Sequence, residues 1–412
     1  MSTHSLADTQ GCTRLRQAGN DGDTARLTGE IIVRVVRDLD GVKEIRELWT
    51  SFHAHPNSDI DFFLTILQLR SDILRPYILV VYRDSRPEAI LIGRIETTRI
   101  DYKFGYKTFY RAPVRQLTFV YGGGLGNLSA ENCEACVREV MNSLSRGEAE
   151  AVFFNHLRTD SPLYNALERI PGFLARDHFR SSVFHRSMKL PRRAAELNQC
   201  IPGDARRESR RRNKRLCADY SDQVEIRCFR TTCDLDRVLQ DIEDVARKTY
   251  QRGLGVGFID NSETRQRSSF EAEKGWMRTY VLYVADKPCA FWSGSLYEGT
   301  FYSGDVGYDP SFKKYAPGTL ILTRILEDLC NEGVREMDFG LGDAEWKQRF
   351  GNHHWREASV YLFAPKVKAI FLNLVWSPAI LLERAVKRVL QRVQLLTKLK
   401  KAWRERGMAH LD

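Results

Sequence analysis

The sequence has no apolar run long enough to cross a membrane. The nearest approach, AIFLNLVWSPAILL (Ala369 to Leu382), is short and broken by Pro378. The N-terminus also lacks the apolar stretch of a secretory signal, since MSTHSLADTQGCTRLRQAGN is polar. There is no cysteine framework: nine cysteines are an odd number without paired spacing. The lone Cys133–Cys136 pair has no second pair to complete a metal or redox site, so a structural role is expected for it. Together these absences argue against a disulfide-built scaffold and a membrane span. They set the expectation of a cytoplasmic protein with free thiols.

What is present is a 412-residue chain, 43% apolar, with room for two cores. Its net charge of +10 is local in origin. Arg206 to Arg215 carries seven positive charges and one negative, and Lys366 to Asp412 carries eleven and three, so the rest of the chain is slightly acidic.

Residues 1–28 lack periodicity and read as a disordered tail. From Ile31 onward strands and helices alternate, as in α+β or α/β folds. One supersecondary plan occurs twice, about 200 residues apart. ILVVYRDSRPEAILIGRI (Ile78 to Ile95) and YVLYVADKPCAFWSGSL (Tyr280 to Leu296) each read as apolar strand, charged turn, apolar strand. A third strand, a helix and a further strand follow each. We therefore expect an N-terminal lobe over 29–188, a C-terminal lobe over 189–365 and a basic amphipathic helical tail over 366–412.

In KKYAPGTLILTRILEDL the apolar residues Leu322, Ile325, Leu326 and Leu329 fall on one helix face. Pro317 and Gly318 stand just before it, between the strand TFYSGDVGY and the strand REMDFG. A helix start leaves backbone N–H groups unpaired, and glycine lets an anion approach them closely. The stretch reads either as a pyrophosphate cradle, with Lys313 or Lys314 adding charge, or as a plain turn.

The segment from Tyr308 to Lys347 resembles the second half of the FemAB/CelD-type acyltransferases of the GNAT superfamily. The matching residues are Tyr308, Asp309, Pro310, Tyr315, Pro317, Gly318, Gly333, Asp338, Phe339, Gly340, Gly342, Asp343 and Lys347. Ala316 departs from a frequent Ser, and Trp346 from a frequent Tyr. The resemblance is specific over 280–350 and loose in the first lobe. It implies two tandem GNAT-like lobes and transfer of an acyl group from acyl-CoA, acetyl-CoA among them, to an amine or hydroxyl. In the FemAB subset the donor is aminoacyl-tRNA, which stands as the alternative; a non-catalytic binder of membranes or polyanions is a third reading.

Acyl transfer needs a proton acceptor, a donor to the carbonyl oxygen and help for the leaving thiolate. Asp305, Asp338 and Asp343 are the candidate catalytic carboxylates. Lys314, Tyr315, Pro317, Gly318 and Thr319 are the candidate cofactor contacts, and Trp346 and Lys347 the candidate substrate contacts; no metal is called for. Asp343 has a second reading as a helix cap. YGGGLGN (Tyr121 to Asn127) occupies the cradle position of the first lobe and reads as a turn; Asn155 and His156 are weaker suggestions there. His353 and His354 read as loop residues and Cys289 as a packed one. The Arg206 to Arg215 run has no interleaved aromatics, which argues against stacking on single-stranded nucleic acid. Residues 383–406 combine a Val/Leu/Trp stripe with Lys and Arg, as in helices that lie on anionic membranes. By analogy, such an attachment suits an enzyme acylating an envelope polysaccharide or its lipid-linked precursor.

Overall fold

The computed structural model describes residues 29–375, apart from 53–54, 105–106, 179, 222 and 254, and the side chains of 101–109. The tail over 1–28 and the stripe over 383–406 lie outside the described residues.

Twelve strands form one sheet. They are β1 (Ile31–Val36), β2 (Ile73–Arg83), β3 (Arg86–Phe104), β4 (Lys107–Gly126), β5 (Ala151–Arg158), β6 (Ser182–Lys189), β7 (Val224–Phe229), β8 (Met277–Val284), β9 (Lys287–Tyr297), β10 (Thr300–Tyr308), β11 (Glu336–Leu341) and β12 (His353–Phe363). Their order is β1-β2-β3-β4-β5-β12-β6-β11-β10-β9-β8-β7. The two halves of this order mirror the sequence repeat, and helices cover both faces of each half. Alternation along β2 sends Tyr77, Leu79 and Val81 into one core and Ile78 and Val80 into another. Along β8, Tyr280, Leu282 and Val284 enter one core and Val281 and Tyr283 the other. The consecutive apolar residues over Tyr77–Val81 and Tyr280–Val284 are thus explained by burial on both sides.

The repeat extends to details that sequence pattern alone does not reveal. Both hairpins turn through two left-handed residues, Asp84 (φ 47°) with Ser85 (65°) and Ala285 (47°) with Asp286 (59°). Pro87 then pairs with Tyr82, and Pro288 with Tyr283, each next to a register shift in the ladder.

Chain order and sheet order part at two strands. β6, which ends at Lys189, pairs with β11 of the second lobe, and β12, the last strand among the described residues, pairs with β5 of the first. β6 and β12 also pair with each other. The expected 188/189 boundary falls at the last residue of β6 and does not divide the hydrogen-bond ladder: each half of the sheet is closed by a strand from the other half of the chain.

Each lobe opens one gap in its sheet. β4 and β5 run parallel from Gln116 to Phe119 and then separate, and β10 and β11 do so after Thr300 to Tyr302. Beside each gap the first strand bulges. The β3–β4 register slips between Phe119 and Gly124, and the β9–β10 register between Ser303 and Val306. His55 spans the space between the gaps, its ring 5.0 Å from Tyr121 on β4 and 4.5 Å from Tyr302 on β10. Gly122 (φ 72°) makes room for it, because a Cβ there would lie 2.5 Å from the His55 ring.

A helix begins again at Val367. Ala369 and Leu372 dock on the first-lobe core, while Phe371 and Leu374 face outward.

Candidate active site

The Pro317–Asn331 helix packs on the second lobe through Leu322, Ile325, Leu326 and Leu329, as its periodicity predicts. Its start is bare. The N-cap is Ala316 in the left-handed region (φ 51°), with no side-chain cap. Pro317 is buried at the first position and has no N–H to satisfy. The Thr319 amide turns back to the Ala316 carbonyl at 2.9 Å. A Cβ on Gly318 would meet nothing within 4 Å. Tyr315, Ala316 and Thr319 line a cavity of about 310 Å³ together with Arg212, Trp346 and Arg349. Arg212 belongs to the basic helix Gly203–Asp219, so the Arg-rich run lies beside the bare helix start.

The corresponding helix of the first lobe, Ala130–Arg146, is different. Ser129 caps it by accepting a hydrogen bond from the Asn132 amide, and YGGGLGN is the bulged end of β4 rather than a phosphate loop. Of the two helix starts, only that of the second lobe is left without a side-chain cap.

A cleft of about 350 Å³ includes the β10 bulge, and among its lining residues are Gly304, Asp305, Asp338, His185, Arg267 and Glu271. Three carboxylates therefore converge there in different environments. Burial pushes the Asp305 carboxyl up, with Arg267 opposing, although solvent reaches the side chain through the mouth of the cleft. Burial pushes Glu271 up as well, against a hydrogen bond from Ser295 at 2.9 Å and the charge of Arg267. Asp338 is clamped instead: its Oδ1 accepts from His185 Nε2 at 2.6 Å and from the Gly340 amide at 2.6 Å. Such splitting of carboxylate environments divides proton-transferring groups from fixed charges.

Asp338 is one end of a network that crosses the exchanged strands. His185 Nδ1 lies 3.2 Å from the Tyr121 hydroxyl and 3.3 Å from Glu357 Oε1, and the ring stacks on Trp355 at 4.3 Å. Trp355 Nε1 donates to Glu357 at 2.5 Å. Burial disfavours the His185 cation, but hydrogen bonds to Asp338 and Glu357 outweigh it and raise the pKa from 6.5 to about 9. His55 is pushed the other way by burial, from 6.5 to about 4.

The stability contributed by His185 is fully present below pH 6.5 and is lost as pH rises through about 9. That of His55, which folds neutral, is lost as pH falls from 6.5 through about 4. Denaturant unfolding should therefore show His185→Gln flattening the decline above pH 6.5, by on the order of 2–3 kcal/mol between pH 6.5 and 9. His55→Asn should act only on the acid side. An unchanged alkaline slope in His185→Gln would mean that the imidazole is neutral in the fold.

The other sequence candidates are dispersed. Lys314 sits 3.5 Å from Asp219 and over the Tyr315 ring, and the Tyr315 hydroxyl donates to the same Asp219 at 2.6 Å, so both are committed to the basic helix. Asp343 neither caps a helix nor lines the cleft; it accepts from Arg186 Nε at 2.5 Å. Trp346 packs edge-on against Trp292 and Phe339, at 5.1 and 5.3 Å. Lys347 donates to the Leu341 carbonyl at 2.6 Å, and burial lowers its pKa to about 8 against the pull of Asp338. Asn155 and His156 line a separate cavity of about 410 Å³ at the first-lobe gap, which shares His55, Tyr121, Tyr302 and Asp338 with the cleft. Cys133, Cys136 and Cys289 are buried, and burial holds the Cys289 thiol at about 12, far from a thiolate.

His55, His185, Glu271 and Glu357 escape sequence reasoning. His185 and Glu357 lie on the exchanged strands, and Glu271 lies on the Ser262–Glu273 helix, where its only sequence signal is Arg267 one turn earlier.

Comparison with known proteins adds to this geometry. Residues 203–348 match the family model of the acetyltransferase (GNAT) domain. No curated protein sequence matches the chain. Its fold is similar to that of a tandem GNAT protein from the clavulanic acid biosynthesis pathway, at a TM-score of 0.51 and 11% identity over 81% of this chain and 99% of that one. It is also similar to FemX, at 0.50 and 10% over 79% and 96%. No helix among the described residues is long and apolar enough to cross a membrane.

Proposed function

From a chain that carries a GNAT acetyltransferase domain at 203–348 within a tandem GNAT fold, we propose that the second lobe transfers an acyl group from acyl-CoA to an amine or hydroxyl. The observation that carries this reading is the pairing of a bare helix start with a bulged strand gap in the same lobe, a combination absent from the first lobe, where Ser129 caps the helix. The free amide end and its partial positive charge suit a diphosphate. The gap between β10 and β11 suits an extended thioester arm, and the Gly304 main-chain amide at the bulge, next to an Asp305 amide that donates to Ser293 Oγ at 2.9 Å, suits the carbonyl oxygen as charge builds on it. Three carboxylates around one arginine favour an acceptor that arrives as an ammonium ion.

In this mechanism Asp305 takes the proton from the attacking nitrogen or oxygen. The new bond to the carbonyl carbon forms and the C–S bond breaks; the departing thiolate takes the second proton of an amine nitrogen, or, for a hydroxyl acceptor, the proton that Asp305 holds. Asp305 suits the task because burial has raised its basicity and it sits on the bulge itself. Asp338, clamped by His185 and the Gly340 amide, holds the acceptor's charge.

Thermal unfolding with coenzyme A tests the donor. Saturating ligand, about a hundred times its Kd, should stabilise the fold by about 2.7 kcal/mol. Stabilisation by aminoacyl-tRNA with none from coenzyme A would overturn the reading in favour of the tRNA-dependent alternative.

A further inference from the structure

Beside the cavity at the bare helix start runs a larger one, about 460 Å³, between the same Pro317–Asn331 helix and the basic helix. Ala205, Ser209, Leu320 and Phe350 line both. The basic helix explains why the two adjoin. Glu208 and Arg212, one turn apart, face the first cavity, while Arg206, Arg210, Asn213 and Cys217 face the second. The small side chains Ala205 and Ser209 stand between these stripes.

Charge is distributed unequally across the two. On the first cavity Arg212 is paired with Glu208, and Arg349 with Glu208 and Asp204. In the second, neither Arg206 nor Arg210 forms an ion pair among the described residues, and Arg206 Nε is buried without a hydrogen-bond partner. The facing Arg324 is held by Asp328, and Glu327, one turn on, is exposed. A buried guanidinium N–H with no acceptor is costly, and it is the kind of group that an anionic ligand relieves.

We infer that this groove receives the 3′-phosphate of the coenzyme A nucleotide, with Arg206 and Arg210 as its ligands. The inference rests on the acyl-CoA reading and names the part of the donor that the basic helix recognises. A diphosphate at the helix start and a 3′-phosphate hang from one ribose, so the second anion site has to lie close to the first. Arg212 and Arg206 are about 9 Å apart along the helix axis, and the two cavities meet at Ser209. Asn198, Asn213 and Thr323 in the same groove offer polar contacts to a base. The clustered arginines thus have a use that needs no nucleic acid.

Calorimetric titration of the full chain with coenzyme A and with 3′-dephospho-coenzyme A tests this. Coenzyme A should bind about tenfold or more tightly, the worth of a charge-assisted contact. Arg210→Ala, which removes an exposed side chain, and Arg206→Gln should each bring the ratio close to one. Equal affinity of the unaltered chain for the two compounds, or a ratio that survives in both variants, overturns the subsite and leaves the acyl-CoA reading standing. Failure of both compounds to bind overturns the reading on which the subsite rests.

Discussion

Gly318→Asp should abolish donor binding without harming the fold. Most substitutions near a ligand site confound the two, because the side chain that binds also packs. Here they separate. Gly318 is in ordinary helical backbone, and a Cβ on it meets nothing within 4 Å. An acidic residue in the first turn of a helix is favourable by about 0.3–1 kcal/mol, and replacing glycine in a helix adds a similar gain. The melting temperature should therefore hold or rise. The same carboxylate would occupy the field that a diphosphate needs, so affinity for coenzyme A should fall about 10- to 100-fold or more, the worth of one or two charge-assisted contacts. Calorimetry and a thermal melt on one preparation check both halves. Retained affinity in a stable variant would mean that the donor does not use this helix start.

Asp305→Asn should reduce kcat by about 10²–10⁴, the range for loss of a general base. The amide keeps the shape of the carboxylate and cannot take the proton. Burial raises the Asp305 pKa, so the acid limb of the parent kcat/KM profile should lie above the usual carboxylate range and vanish in the variant. Stability should change little, because this carboxylate has no ion pair among the described residues. Asp338→Asn should behave differently, lowering rate and stability together, since it takes from the buried His185 cation its closest partner at 2.6 Å. A rate within tenfold of the parent in Asp305→Asn, with the acid limb intact, would move the proton acceptor to Glu271.

The elements that the sequence made readable were those fixed by local pattern. The two apolar hairpins, the Leu322–Leu329 helix face and the glycine after it depend on periodicity and turn chemistry, which short windows contain. The bare helix start was readable for the same reason, since Pro317 and Gly318 announce it without an obvious capping side chain. What escaped depends on distant pairing. His185 meets Asp338 and Glu357 only because β6 lies between β11 and β12, and no local spacing encodes that. Asp343 and Lys314 drew notice as charges next to a motif. Their partners, Arg186 and Asp219, lie far away in the chain and turn them from the cleft and the helix start. Glu271 stands on a helix without apolar periodicity, and only the cleft beside it gives it a role.

The exchanged closing strands also bear on synthesis. On the ribosome, the earlier half of the repeat emerges complete except for its last ladder, and residues 353–363 must be added before β5 gains that neighbour. Until then the nascent chain carries an unpaired edge, a liability for aggregation that chaperones commonly shield. Although the halves look like two copies of one unit, they mature as one, and a polypeptide cut between them leaves each piece without its final strand.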